Sequence, residues 1–179
     1  SVNQFCHLFA KKIPCIVVAW EYPEYGLDKR PDVSFEKRIS LMSEYIIKNF
    51  PHNPIVLYGR SLGTTFAILL ARQLGERASA IILEAPFLSI ISTVNIRLAK
   101  VLKWADICDN LTLLQDLSIP LVIMHGTEDN VVPFENGIKL AEKYKGPQVF
   151  LQINGAGHNN VFAMGCKELF EVYLLFLQT

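Results

Sequence analysis

Five continuous apolar runs limit what this chain can fold into: Cys15-Ile-Val-Val-Ala-Trp20, Pro54-Ile-Val-Leu-Tyr58, Ala80-Ile-Ile-Leu83, Pro120-Leu-Val-Ile-Met124 and Val149-Phe-Leu-Gln-Ile153. Each is of strand length, and none alternates with polar residues, which marks strands buried on both faces. The intervening segments have helical spacing, as in Phe35, Ile39, Met42 and Ile46 of Ser34–Asn49. Helices are also expected over Val2–Lys12, Ser61–Leu74, Pro133–Lys145 and Asn160–Leu177. Phe50-Pro51 ends one of them, because the residue before proline resists helix, and Gly75 stops another. Buried strands alternating with amphipathic helices give an α/β fold, a mostly parallel sheet covered on both faces. With 179 residues, 51% of them hydrophobic, the chain has core enough for one domain over 1–179.

Gly59-Arg60-Ser61-Leu62-Gly63 joins the second strand to the helix after it. Strand, sharp turn with serine at its tip, then helix is the setting of a nucleophile elbow. The tight turn asks for glycine on both sides of the serine, since glycine has no Cβ to clash. Ser61 then stands at a helix N-terminus, where unpaired N–H groups favour negative charge. By itself the pattern also fits a turn with two chance glycines.

Two further strand ends carry matching chemistry. His125-Gly-Thr-Glu-Asp129 follows one strand, with Pro133 opening the next helix, and Asn154-Gly-Ala-Gly157-His158-Asn-Asn160 follows another. Serine, acid and histidine thus occur in the order Ser61, Asp129, His158, the order of α/β-hydrolases and not of chymotrypsin or subtilisin. Serine is a poor nucleophile at neutral pH without a neighbouring base. His158 is the candidate base, and Asp129 the group that orients it and stabilises its cation. The backbone N–H of Leu62 is the candidate oxyanion donor.

Other classes find little support. Lysine plus arginine and aspartate plus glutamate number 17 each, so no net charge argues for nucleic acid or an acidic partner. Cys6, Cys15, Cys108 and Cys166 have neither metal-ligand nor C-x-x-C spacing. They read as free thiols of a reducing, cytoplasmic compartment, with Cys108 nearest the expected site. No metal or organic cofactor is expected. No apolar run is long enough to span a membrane, and Ala78–Ile96 is broken by Glu84 and Pro86. Lys11 and Lys12 follow the first apolar residues instead of preceding them, unlike a signal peptide. About 30 residues, 88–118, separate two strands that a short helix could join, so this segment reads as a lid-like insertion. Its Arg97, Lys100 and Lys103 read as a solvated basic face, with peripheral membrane contact as the rival reading.

The elbow, the His125–Asp129 loop and the Gly155-Ala-Gly157-His158-Asn159 loop together resemble the α/β-hydrolase superfamily. More narrowly, the chain is similar to the Bem46-like serine hydrolases and the α/β-hydrolase-domain protein depalmitoylases. Glu21-Tyr22-Pro23-Glu24-Tyr25-Gly26 resembles their D-Y-P-G-Y-G loop, with Glu21 for aspartate and Glu24 for glycine. The resemblance covers nearly the whole chain. It implies the triad Ser61, Asp129 and His158 and an ester or thioester substrate, the S-acyl cysteine of a lipidated protein included. The family's cysteine-rich N-terminal anchor has no counterpart here. Nor has the H-G-N or H-G-G loop that supplies a second oxyanion N–H. The family's first strands also precede Ser1, so an N-terminally incomplete sheet is expected. Cys15–Trp20 and the strand before Ser61 would then lack the neighbour between them.

Several residues have more ordinary readings. Glu84 is a weaker candidate than Asp129 for the acid. Arg60 reads as an ion-pair or surface residue, and His125 as a hydrogen-bonded structural histidine. Glu128 reads as solvent-facing. His7 and His52 carry no partner signal, and Met42, Met124 and Met164 read as core fillers. The sequence reads as a serine esterase or thioesterase. Its rivals are a peptidase on the same fold, since fold does not fix the scissile bond, and a non-catalytic hydrolase fragment.

Overall fold

The computed structural model describes residues 2–21, 34–89 and 109–177. The expected lid over 88–118 therefore falls mostly outside the described residues, with Cys108 and Arg97, Lys100 and Lys103. The 22–26 part of the family-like loop lies outside them too.

Four strands form one sheet: β1 (Ile55–Arg60), β2 (Ala78–Glu84), β3 (Leu121–Gly126) and β4 (Gln148–Ile153). They lie in the order β1-β2-β3-β4, and every neighbouring pair is parallel. Parallel neighbours need crossovers, which the helices supply. The helices are α1 (Val2–Lys12), α2 (Phe35–Asn49), α3 (Gly63–Leu74), α4 (Asn110–Leu114), α5 (Glu135–Lys143) and α6 (Val161–Val172). A π-helical turn, Tyr173–Leu177, continues α6. Local chemistry sets several of these bounds. Ser34 Oγ accepts the Lys37 N–H at the start of α2, and Gly75 ends α3 with φ of +57°.

The strand residues divide between two cores. Leu57, Ile81, Leu83, Leu121 and Ile123 pack with α2 to α5 through Ile39, Phe66, Ile68, Leu114 and Leu140. Ile82, Val122 and Met124 point the other way, onto Phe9 of α1 and Val161 and Leu169 of α6. Alternate residues of a strand face opposite sides, so both faces must be apolar when both are covered. That is why β2 and β3 read as unbroken apolar runs. The α/β fold with a mostly parallel, doubly covered sheet stands as the sequence reading had it.

One expected strand is absent among the described residues. Cys15–Trp20 carries no sheet pairing with any of them. Cys15 and Val17 pack against the α1–α6 core, while Ile16 is 72% and Val18 48% exposed. The residues have strand propensity, but a strand needs a partner for its N–H and C=O groups, and propensity alone does not provide one. Among the described residues β1 pairs only with β2 and is an edge of the sheet.

The two environments predict opposite mutational costs. Leu83→Ala, at a site with no exposure, is expected to cost about 2–5 kcal/mol. Ile16→Ala should stay within about 0.5 kcal/mol. Chemical denaturation of both variants beside the parent chain checks this.

Candidate active site

The C-terminal ends of the parallel strands carry the candidate residues. Ser61 continues β1 by one residue: its N–H donates to the Glu84 carbonyl at 2.9 Å. The chain then turns sharply, with Ser61 at φ of +51°. A non-glycine residue in that region is strained, by about 1–3 kcal/mol, and such residues cluster at functional sites. Two bonds to the Ser61 carbonyl hold the turn, from the Thr64 N–H at 3.0 Å and the Thr64 hydroxyl at 2.6 Å. Strand and helix approach so closely that a Cβ on Gly59 would lie 2.4 Å from the Gly63 carbonyl oxygen. The expectation that both flanking positions need glycine is corrected on the other side. A Cβ on Gly63 meets nothing within 4 Å among the described residues. The Leu62 N–H donates to no group among the described residues, which leaves it available to an anion beside Ser61.

Asp129 lies in the loop after β3, its side chain fully buried. Its Oδ1 accepts the N–H groups of Val131 at 2.9 Å and Val132 at 2.8 Å. These bonds aim Oδ2 at His158, whose Nδ1 lies 2.8 Å away. His158 Nε2 is 3.1 Å from Ser61 Oγ. The structure thus brings Ser61, His158 and Asp129 into one hydrogen-bonded chain.

The histidine loop is stitched to the aspartate loop. Thr127 N–H donates to the Ile153 carbonyl, Glu128 N–H to the Ala156 carbonyl, and Gly155 N–H to the Thr127 hydroxyl. The two backbones touch so closely that a Cβ on Gly126 would sit 2.1 Å from the Ala156 oxygen. Gly155 turns at φ of +73°. These are backbone demands, and they explain glycine at 126 and 155.

The secondary candidates sort as follows. His125 is fully buried and its Nε2 donates to the Val132 carbonyl at 3.0 Å, with Asp129 Oδ2 at 3.5 Å. Burial holds its pKa below the ordinary imidazole value, so the ring is neutral near pH 7. Its Nδ1 has no partner among the described residues and packs where a Cβ on Gly137 would be 2.6 Å away. It is the hydrogen-bonded structural histidine the sequence suggested. Glu128 is exposed. Glu84 turns to Tyr58, Arg60 and Phe162 instead of His158, so Asp129 is the acid that faces the histidine. Arg60 does more than form a surface ion pair, since its guanidinium also reaches the His158 loop.

Sequence reasoning missed Asn110. Its amide is fully buried, donates to Thr64 Oγ1 at 3.0 Å and to the Phe87 carbonyl at 2.9 Å, and accepts the Thr65 hydroxyl at 2.8 Å. It pins the start of α3 to the segment that follows β2, and no local pattern marks it. Among the described residues no cluster of His, Cys, Asp and Glu is arranged to hold a metal. Nor is any described helix long and apolar enough to cross a membrane.

Comparison with known proteins identifies the family. The family model described as serine hydrolase (FSH1) matches residues 11–159, a span that includes Ser61, Asp129 and His158. Human alpha/beta hydrolase domain-containing protein 17B is 30% identical over 185 residues, covering 97% of this chain and 59% of that protein. The mouse alpha/beta hydrolase domain-containing protein 17C is 26% identical over 181 residues, covering 97% and 54%. The chain thus spans a little over half the length of the curated relatives it matches. Among solved structures, a Paleococcus ferrophilus monoacylglycerol lipase superposes with a TM-score of 0.73 at 18% identity, covering 98% of this chain and 88% of that one. The esterase EaEST from Exiguobacterium antarcticum gives 0.67 at 18% identity, covering 89% and 80%. The fold is that of the α/β-hydrolases, and the chain belongs to the serine hydrolase (FSH1) family.

The geometry makes two predictions. Gly59→Ala should lower the melting temperature by several degrees, whereas Gly63→Ala should leave it nearly unchanged, as read by thermal unfolding. For His125 the folded pKa lies below the unfolded value near 6.5. The unfolded chain therefore takes up a proton first as pH falls. This contribution to stability is complete above that value and is lost below it. His125→Gln should make the decline in stability between pH 7 and pH 5 shallower, measured by denaturation at stepped pH.

Proposed function

Starting from membership of the serine hydrolase (FSH1) family, we propose that this chain cleaves an ester or thioester through an acyl-enzyme on Ser61. The continuous hydrogen-bonded chain from Asp129 through His158 to Ser61 supports the reading. In acylation, Ser61 Oγ attacks the acyl carbon while His158 Nε2 takes the hydroxyl proton. Asp129 Oδ2 holds the Nδ1 proton, which fixes the tautomer with its lone pair on Nε2 and stabilises the imidazolium as it forms. The carbonyl oxygen, now negative, lies against the N–H of Leu62 at the start of α3. The imidazolium then protonates the departing alkoxide or thiolate. In the second half, His158 deprotonates a water, which attacks the acyl carbon and releases the acid and Ser61. Every proton is carried by His158, so the scheme needs no metal and no cofactor.

The thioester end of this range rests on the resemblance to the depalmitoylase group. It makes the S-acyl cysteine of a lipidated protein the proposed natural substrate and a membrane surface the proposed place of work. A thiolate leaves more readily than an alkoxide, so it asks less of His158 as acid. A thioester is therefore the substrate least sensitive to the general-acid step.

Intact-mass analysis after mixing with a p-nitrophenyl acyl ester should show one acyl group added, on Ser61, and none in Ser61→Ala. Asp129→Asn should lower kcat by about 10⁴-fold with the fold intact, because the amide favours the wrong tautomer. Thioesters and oxygen esters of one acyl chain, compared by kcat/KM, test the substrate class. A preference for the oxygen ester would remove the depalmitoylase reading and leave the esterase.

A further inference from the structure

Ser61 and His158 come from strands at opposite edges of the four-stranded sheet. Their strands are three spacings apart, about 14 Å at about 4.8 Å each. The histidine loop must therefore reach back across the ends of β3 and β2 to put Nε2 3.1 Å from the serine. The Asp129 contact fixes the loop to β3, but β3 is not the nucleophile's strand. Something must tie the loop to β1.

We propose that Arg60, the residue before the nucleophile, is a positioning residue that holds His158 over Ser61, and that buried Glu84 holds Arg60 in turn. The inference rests on Ser61 and His158 acting as nucleophile and base. Arg60 Nη2 donates to the His158 carbonyl at 2.9 Å and to Asn159 Oδ1 at 2.8 Å. Apart from the Ser61–His158 bond, these are the hydrogen bonds that join β1 to the histidine loop among the described residues. Arg60 Nε lies 3.5 Å from Glu84 Oε1. The guanidinium is planar, so fixing Nε against Glu84 also fixes the direction of Nη2.

Glu84 is suited to that work. Its side chain is 3% exposed, against 43% for Arg60. Its Oε2 accepts the Tyr58 hydroxyl, and its Oε1 accepts the Phe162 N–H at 3.2 Å. Phe162 opens α6, the helix that leaves the histidine loop. One buried carboxylate thus joins β1, the end of β2 and the far side of the loop. Arg60 grips the loop at 158 and 159, and Glu84 grips its exit at 162. A surface ion pair in isolation contributes little to stability. This pair differs because its other hydrogen bonds end on the backbone and neighbour of the candidate base. Burial of Tyr58 against Glu84 raises the phenol pKa far above its usual value, so Tyr58 remains a donor.

The test uses the whole 179-residue chain with Arg60→Ala, Arg60→Lys and Glu84→Gln. Two readouts are taken: steady-state turnover of a p-nitrophenyl ester, and hydrogen exchange by mass spectrometry over residues 154–160. For Arg60→Ala, kcat should fall by up to about 10²-fold, the usual cost of a misplaced catalytic group, with KM within about twofold. Exchange in 154–160 should quicken by about tenfold while the β2 and β3 peptides stay unchanged. Arg60→Lys should recover part of both effects, since an ammonium reaches one acceptor and not the fork. Glu84→Gln should follow Arg60→Ala in direction, and if it fails to fold, the exposed Arg60 variants carry the test. Unchanged exchange in 154–160 overturns the proposal, whatever the kinetics. A loss confined to KM overturns it too, because it makes Arg60 a substrate contact. If the parent chain does not turn over while Arg60→Ala still quickens exchange, the tether stands and the hydrolase reading fails.

Discussion

The bond from the Ser61 N–H to the Glu84 carbonyl is the constraint on which the rest of the site depends. It carries the β1–β2 ladder one residue past β1, so the strand cannot begin to turn before Ser61. The helix after it must start at once, and the reversal falls on a single residue held at positive φ. Gly59 follows from this: strand and helix then lie closer than any side chain at that position allows. The turn brings Oγ to His158 and leaves the Leu62 N–H without an acceptor among the described residues. A looser turn would relieve the strain, but the hydroxyl and the amide would no longer face the same point.

Around that turn the molecule buries polar groups that only mutual hydrogen bonding makes tolerable. Asp129, Glu84, Asn110 and His125 all sit at or near zero exposure. An unpaired carboxylate at such depth would be costly, and Asp129, Glu84 and Asn110 each have several partners, while His125 is held by its bond to the Val132 carbonyl. Asp129 uses two backbone N–H groups to aim its free oxygen at His158. Glu84 gathers a phenol, a guanidinium and a helix N–H. Asn110 joins two threonines of α3 to the segment that follows β2. Asp129 anchors the histidine loop at the end of β3, while Glu84 and Asn110 work at and just after the end of β2.

Much of this was legible in the sequence. The four apolar runs of β1 to β4 could be read because doubly buried strands leave no polar positions. Ser61, Asp129 and His158 could be read because each lies in the short turn or loop just beyond the end of such a run. Cys15–Trp20 finds no strand partner among the described residues, because strand propensity resides in the residues while pairing resides in the neighbour. Gly63 was misread because a glycine gives no sign of whether its missing Cβ would have met anything. Arg60 was read as an ion-pair residue, but its reach to the histidine loop, like Asn110, was illegible for a different reason. Their partners lie 98 and 46 positions away, a distance at which no local pattern survives.

Activation of Ser61 by His158 is the central claim, and covalent labelling tests it most directly. The purified 179-residue chain would be treated with a fluorophosphonate beside Ser61→Ala, with circular dichroism confirming that both are folded. The account predicts that the parent chain labels and Ser61→Ala does not. A folded parent chain that fails to label, or a Ser61→Ala variant that labels equally well, would contradict it.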